Sequence, residues 1–166
     1  MDNQINISPE EKLVLLLKAK NYTVSFAESC TGGLVASTLV SVPNASSVFC
    51  ESVVTYSNEA KTKRLGVKKE IMDFLGVVSE DVAGAMAQGV CNLTGANVGV
   101  GITGVAGPAG GTAEKPVGTV CFGFFINGNA ITKTVNFEDV GRNTVRQNAT
   151  TYVFRTLNYL LESGNY

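Results

Sequence analysis

Glu28-Ser29-Cys30-Thr31-Gly32-Gly33 sets a hydroxyl and a thiol side by side, between a strand-like run (Tyr22 to Ala27) and a small-residue helical pattern (Leu34 to Leu39). A nucleophile at such a junction meets free backbone N–H groups and the positive end of a helix dipole, a setting that holds anions or an oxyanion. The sequence contains no histidine. A Ser-His-Asp triad, a His-ligated metal and a His proton shuttle are therefore excluded within one chain. Two readings of Ser29 remain open: it, or Thr31, caps the following helix, or it is a nucleophile served by another base. Gly32 and Gly33 allow a ligand close to the backbone and fit the second reading. Cys30 is the rival nucleophile, since a thiol at a helix N-terminus is expected to ionise more readily than usual.

Lysine is a known partner of serine, its pKa lowered by burial. No Ser-x-x-Lys spacing occurs, so the base cannot lie one turn after the serine. Lys61, in Tyr56-Ser57-Asn58-Glu59-Ala60-Lys61, follows the second strand-like run. Adjacent strands would bring the ends at Ser29 and Tyr56 to one edge of a sheet, where α/β proteins bind ligands. The competing reading makes Lys61, Lys63 and Arg64 a solvated helix face. Gly99-Val100-Gly101-Ile102-Thr103-Gly104 spells G-x-G-x-x-G, but Val105-Ala106-Gly107-Pro108-Ala109-Gly110-Gly111 cannot continue as the helix that a dinucleotide fingerprint requires. No phosphate-binding G-x-x-x-x-G-K-[ST] motif exists either. The loop from Thr103 to Lys115 still exposes many amides, suited to a phosphate or a planar ring, unless it is only a flexible connection. Arg142 and Arg146 share a helix face. Arg142 opposes the dipole of that helix's first turn, which suggests a bound anion, with a solvated arginine pair as the alternative.

The elements that must position these residues follow from pattern. Ser8-Pro9-Glu10-Glu11 is a capping box with proline at N1, opening a helix to about Lys20. Strands are expected over 22–28, 48–56, 96–102, 117–126 and 130–137, the last two a hairpin about Asn127-Gly128-Asn129. Helices are expected over 31–41, 58–65, 68–75, from Ser79 to about Leu93, and from Arg142 to about Leu161. In the last, Val145, Ala149, Val153, Leu157 and Leu160 keep a helical period. This order implies a layered α/β sandwich with a mixed, partly antiparallel sheet. The 166 residues, 45% hydrophobic, suit one domain over 1–166. A net charge of -1 argues against a general nucleic-acid binder. The start Met1-Asp2-Asn3-Gln4 lacks a basic n-region, and Leu13 to Leu17 is too short for a membrane helix. A cytoplasmic protein without membrane partners is expected, and its modest charge and apolar content permit a homodimer. The cysteines at 30, 50, 91 and 121 form no C-x-x-C pair. Three of them are expected to be small core residues.

Taken together, Glu28 to Gly33, Tyr56-Ser57-Asn58 with Lys61, Val78-Ser79, Gly101 to Pro108, Lys115 to Val120, and Gly141-Arg142 with Arg146 stand in one familiar order. From Thr23 to the last helix the chain resembles the CinA C-terminal domain family, the nicotinamide-nucleotide amidases. The resemblance implies hydrolysis of the carboxamide of nicotinamide mononucleotide to nicotinate mononucleotide and ammonia, with no metal or cofactor. Carried over by motif, Ser29 is the nucleophile, Lys61 its general base and Tyr56 a further catalytic-site residue. The backbone N–H groups of Cys30 and Thr31 face the oxyanion. Gly32, Gly33, Asn58, Thr103, Gly104, Ala106, Gly107 and Arg142 surround the substrate. The family usually has glycine after Ala-Gly-Pro where this chain has Ala109, which would strain the loop if that position needs a positive φ. Family links to competence and DNA damage leave a second expectation, a catalytically silent nucleotide- or partner-binding module.

Overall fold

The strands Val24–Glu28, Val98–Gly104 and Thr119–Ile126 are buried almost throughout, because helices cover both faces of the sheet, and the two faces carry different side chains. The computed structural model describes residues 7–166. The Met1-Asp2-Asn3-Gln4 segment, read above for a targeting signal, lies outside the described residues. In chain order the elements are α1 (Pro9–Lys20), β1 (Val24–Glu28), α2 (Leu34–Val40), a short 3-10 turn (Ala45–Ser47), β2 (Phe49–Val54), α3 (Asn58–Leu65), α4 (Lys69–Leu75), α5 (Glu80–Thr94), β3 (Val98–Gly104), β4 (Thr119–Ile126), β5 (Asn129–Asn136) and α6 (Arg142–Ser163). The strand order is β2-β1-β3-β4-β5. β1 runs parallel to β2 and β3, while β3–β4 and β4–β5 are antiparallel. The mixed sheet between helices is the architecture the element order implied.

One face presents Val24, Phe26, Val98, Val100, Ile102, Val120, Phe122 and Phe124 to α1, α2 and α6. From α6 the periodic residues Val145, Ala149, Val153, Leu157 and Leu160 are all buried there. Each large side chain in this layer contributes about 1.5–3 kcal/mol by leaving water. The opposite face is built of small residues, with Ala27 beside Gly101 and Gly101 beside Gly123 across three strands. A Cβ on Gly101 or Gly123 would collide with the backbone carbonyl of Ala83 in α5, and one on Gly99 with that of Ala87. These glycines let α5 lie directly on the sheet. The G-x-G-x-x-G spelling is thus largely a helix-packing device, with Gly99 and Gly101 inside β3 rather than in a ligand loop.

Several ends follow the expected signals. Ser8 and Glu11 form a reciprocal capping box on α1. Ser57 caps α3 and Ser79 caps α5 through their hydroxyls. Asn127 (φ 48°) and Gly128 (φ 91°) turn the β4–β5 hairpin in the left-handed region that such a two-residue turn needs. Among the described residues no helix is long and apolar enough to cross a membrane.

Candidate active site

Parallel pairing sets the carboxyl ends of β1 and β2 side by side, with Glu28 opposite Val54. Ser29 leaves the first strand, and Thr55 and Tyr56 leave the second. Ser57 then starts α3, and one turn later Lys61 points back under the strand ends, wholly buried. Lys63 and Arg64 on the same helix are exposed, so the solvated-face reading holds for them and fails for Lys61. Lys61 Nζ lies 3.0 Å from Ser29 Oγ, 2.8 Å from the carbonyl oxygen of Thr55 and 3.4 Å from that of Tyr56. As an ammonium it donates all three bonds. As an amine it has two N–H groups and one lone pair. The carbonyls can only accept, so they take the N–H groups and leave the lone pair to the Ser29 hydroxyl. Burial pushes the Lys61 pKa below its ordinary value, which favours that neutral form.

The turn after β1 departs from expectation. α2 begins at Leu34 rather than near Thr31, and its N-cap is Gly33, without any side-chain cap of its own. Neither Ser29 nor Thr31 caps it. Instead the fully buried Glu28 carboxylate accepts from the N–H groups of Gly33, Val35 and Ala36 and from the Ser52 hydroxyl. The helix terminus is therefore satisfied internally and is not the anion site that the junction suggested. Gly32 (φ 59°) and Gly33 (φ 95°) make this reversal possible. They form the turn behind the serine and do not line the cavity described below. The N–H groups of Cys30 and Thr31 donate to no other residue's oxygen among the described residues. Cys30 also differs from expectation, since burial pushes its thiol up to about 12 rather than down. It is a neutral thiol beside the serine.

A cavity of about 190 Å³ opens over this pair, lined by Ser29, Cys30, Tyr56, Asn58, Lys61, Thr103, Gly104, Ala106 and Arg142, with Val77 and Val78 completing the wall. No lining side chain is acidic. Thr103 donates to the Val77 carbonyl oxygen, fixing one wall. Arg142 donates to the Gly107 carbonyl oxygen at 2.7 Å and to the Tyr56 hydroxyl at 2.8 Å, joining loop, strand end and α6 at the mouth. Gly107 thus contributes its carbonyl to Arg142 rather than a wall of the cavity. The Tyr56 side chain is 60% exposed. Its backbone carbonyl, not its phenol, reaches Lys61. Ala109 takes no positive φ, whereas Gly110 does (φ 92°), so the alanine sits in the loop without strain. A larger groove of about 420 Å³ lies between α1, α2 and α6, beside Pro9, Thr38 and Phe154. It holds no nucleophile with a base, so the chemistry belongs to the smaller cavity.

Three roles escaped the sequence reading: Glu28 as helix cap, Val77 and Val78 as wall, and Arg146 as a clamp on the nucleophile turn. The Arg146 guanidinium reaches the carbonyl oxygens of Cys30 and Thr31, at 3.1 and 2.8 Å. It does not stand beside Arg142 as a second anion contact. Charge spacing along α6 could raise the two arginines but not separate their partners, which lie 35 and 86 residues away for Arg142 and 116 and 115 for Arg146.

Fold and site define a mixed-sheet α/β protein with a buried serine–lysine pair at the carboxyl ends of parallel strands. Residues 6–161 match the model of the CinA C-terminal domain, and the chain belongs to that family. It is 51% identical over 142 residues to a CinA-like protein of Kosmotoga olearia, an alignment that covers 86% of this chain and 34% of the relative. The chain thus spans about a third of the length of that curated relative. It superposes on a competence-damaged protein (CinA) superfamily structure from Klebsiella pneumoniae with a TM-score of 0.90 and 31% identity, covering 93% of this chain and 96% of that one. A competence/damage inducible protein from Agrobacterium tumefaciens gives 0.86 and 37%, again over 93% and 96% of the two chains.

Proposed function

We propose that the chain is an amidohydrolase that converts nicotinamide mononucleotide to nicotinate mononucleotide and ammonia. The observation that carries this reading is the 3.0 Å contact between Ser29 Oγ and a buried Lys61 Nζ that has no carboxylate partner among the described residues. A protein that only binds has no use for such a pair. The cavity is smaller than the ~300–1,000 Å³ usual for whole-ligand sites. It suits the reacting ring and amide, with the phosphoribosyl part extending past Tyr56 toward Arg142. An acid-free lining with an arginine at the mouth fits an anionic substrate.

Ser29 Oγ attacks the amide carbon, and its proton passes to the Lys61 lone pair. The carbonyl electron pair moves onto oxygen, where the Cys30 and Thr31 N–H groups receive it. Collapse breaks the C–N bond, and Lys61 returns the proton to the leaving nitrogen as ammonia. Water then attacks the ester, giving a proton to Lys61 that passes back to Ser29 Oγ as the acid departs. No step calls for a metal or cofactor.

Ammonia release from nicotinamide mononucleotide tests the proposal. Wild type is expected to turn over, Ser29→Ala and Lys61→Ala to lose at least ~10³-fold in kcat, and Cys30→Ala to stay within a few fold. No release by wild type overturns the amidase reading in favour of a binding module. Full activity in Ser29→Ala moves the nucleophile elsewhere.

A further inference from the structure

We propose that Arg146 is a positioning residue that presets the oxyanion-binding amides of this site, an inference that rests on the amidase reading above. Its guanidinium is the group from α6 that grips the nucleophile turn, donating through Nε to Cys30 O and through Nη2 to Thr31 O. Nη1 donates to Asn143 Oδ1, which steadies the fork. A trans peptide unit points its C=O and N–H in opposite directions. The Cys30 carbonyl and the Thr31 N–H belong to one such unit, so drawing the carbonyl toward α6 aims the N–H away from it. The neighbouring unit is fixed by the turn itself, because Ser29 O accepts from Gly32 N–H at 3.1 Å and this sets the Cys30 N–H. The Thr31 hydroxyl is buried with no partner among the described residues, so this side chain does not hold the turn in place of Arg146. The Cys30–Thr31 unit turns about Cys30 ψ and Thr31 φ, and the Arg146 bond to Cys30 O opposes that rotation. Rotated, that unit would present its carbonyl where the oxyanion needs a donor. Lysine cannot reproduce the two-pronged grip.

Steady-state turnover of nicotinamide mononucleotide is measured for wild type, Arg146→Met and Arg146→Lys, with thermal melts for each. Losing one oxyanion donor costs about 10²–10³ in kcat. Arg146→Met is expected to fall about 10²-fold in kcat with KM within about twofold, and Arg146→Lys about tenfold. The second readout is affinity for pyridine-3-boronic acid, whose tetrahedral adduct on Ser29 carries the oxyanion charge. It should weaken in step with kcat, while the Kd of nicotinate mononucleotide stays unchanged. A folded Arg146→Met with wild-type kcat and boronate affinity overturns the inference and leaves the amidase intact. Should Arg146→Met not fold, Arg146→Lys decides, and wild-type values there overturn it equally. A wild type that releases no ammonia yet binds boronate at Ser29 loses the substrate reading, and Arg146 is then judged on adduct affinity alone. A wild type that does neither removes both.

Discussion

A lysine acts as a base only after losing its proton, and the surroundings of Lys61 promote that loss. It is wholly buried, touches two carbonyls and a hydroxyl, and faces no carboxylate among the described residues. Burial lowers its pKa, so acid must protonate it before the reaction stops. The expected kcat/KM profile for nicotinamide mononucleotide falls on the acid side with a slope of one, and its midpoint lies below the 10.5 of an ordinary lysine. A profile flat through neutral and mildly acid pH would count against a lysine base. Little of this was visible in residue type alone. The missing histidine pointed to lysine, and strand order pointed to Lys61. Its burial and its carbonyl partners come from the way α3 folds back under the strand ends.

At the scale of elements, the turn between β1 and α2 shows where local reading stops. Hydroxyl caps announced α1 and α5, because each cap lies immediately before its helix. α2 instead takes its cap from Glu28, which lies in the preceding strand and reaches forward across the serine turn. Sequence pattern therefore started that helix three residues early and assigned its amides to a ligand. The same carboxylate also receives Ser52 from β2, so it ties the two strand ends that carry the serine and the lysine. Glu28→Gln places an NH₂ among three donors and is expected to cost about 2–4 kcal/mol, more than an ordinary surface cap. Urea unfolding checks this. A change below about 0.5 kcal/mol would mean that the α2 amides find other partners. The sheet face beneath α5 was equally hidden, since a glycine in a strand is silent about the helix laid against it.

For the whole molecule, Lys61 links the site to global stability, and the sign is fixed by its lowered pKa. In the unfolded chain Lys61 keeps its proton up to about pH 10.4. In the folded chain it has already lost that proton at lower pH. Between those two values the unfolded state binds more protons, so stability rises with pH. Below the folded value both states are protonated, and the lysine contributes nothing to the slope. Lys61→Met removes the titration while keeping an unbranched side chain of similar length. The stability of wild type relative to Lys61→Met is therefore expected to increase with pH through that window, by at most about 1.4 kcal/mol per unit, and to level off near pH 10.4. Urea unfolding of both proteins at several pH values measures the difference directly. The kinetic midpoint of the acid limb marks the lower edge of this window if one amine controls both. A difference that stays constant from neutral to alkaline pH, or that shrinks, would show Lys61 charged in the folded protein and remove the base from the proposed reaction.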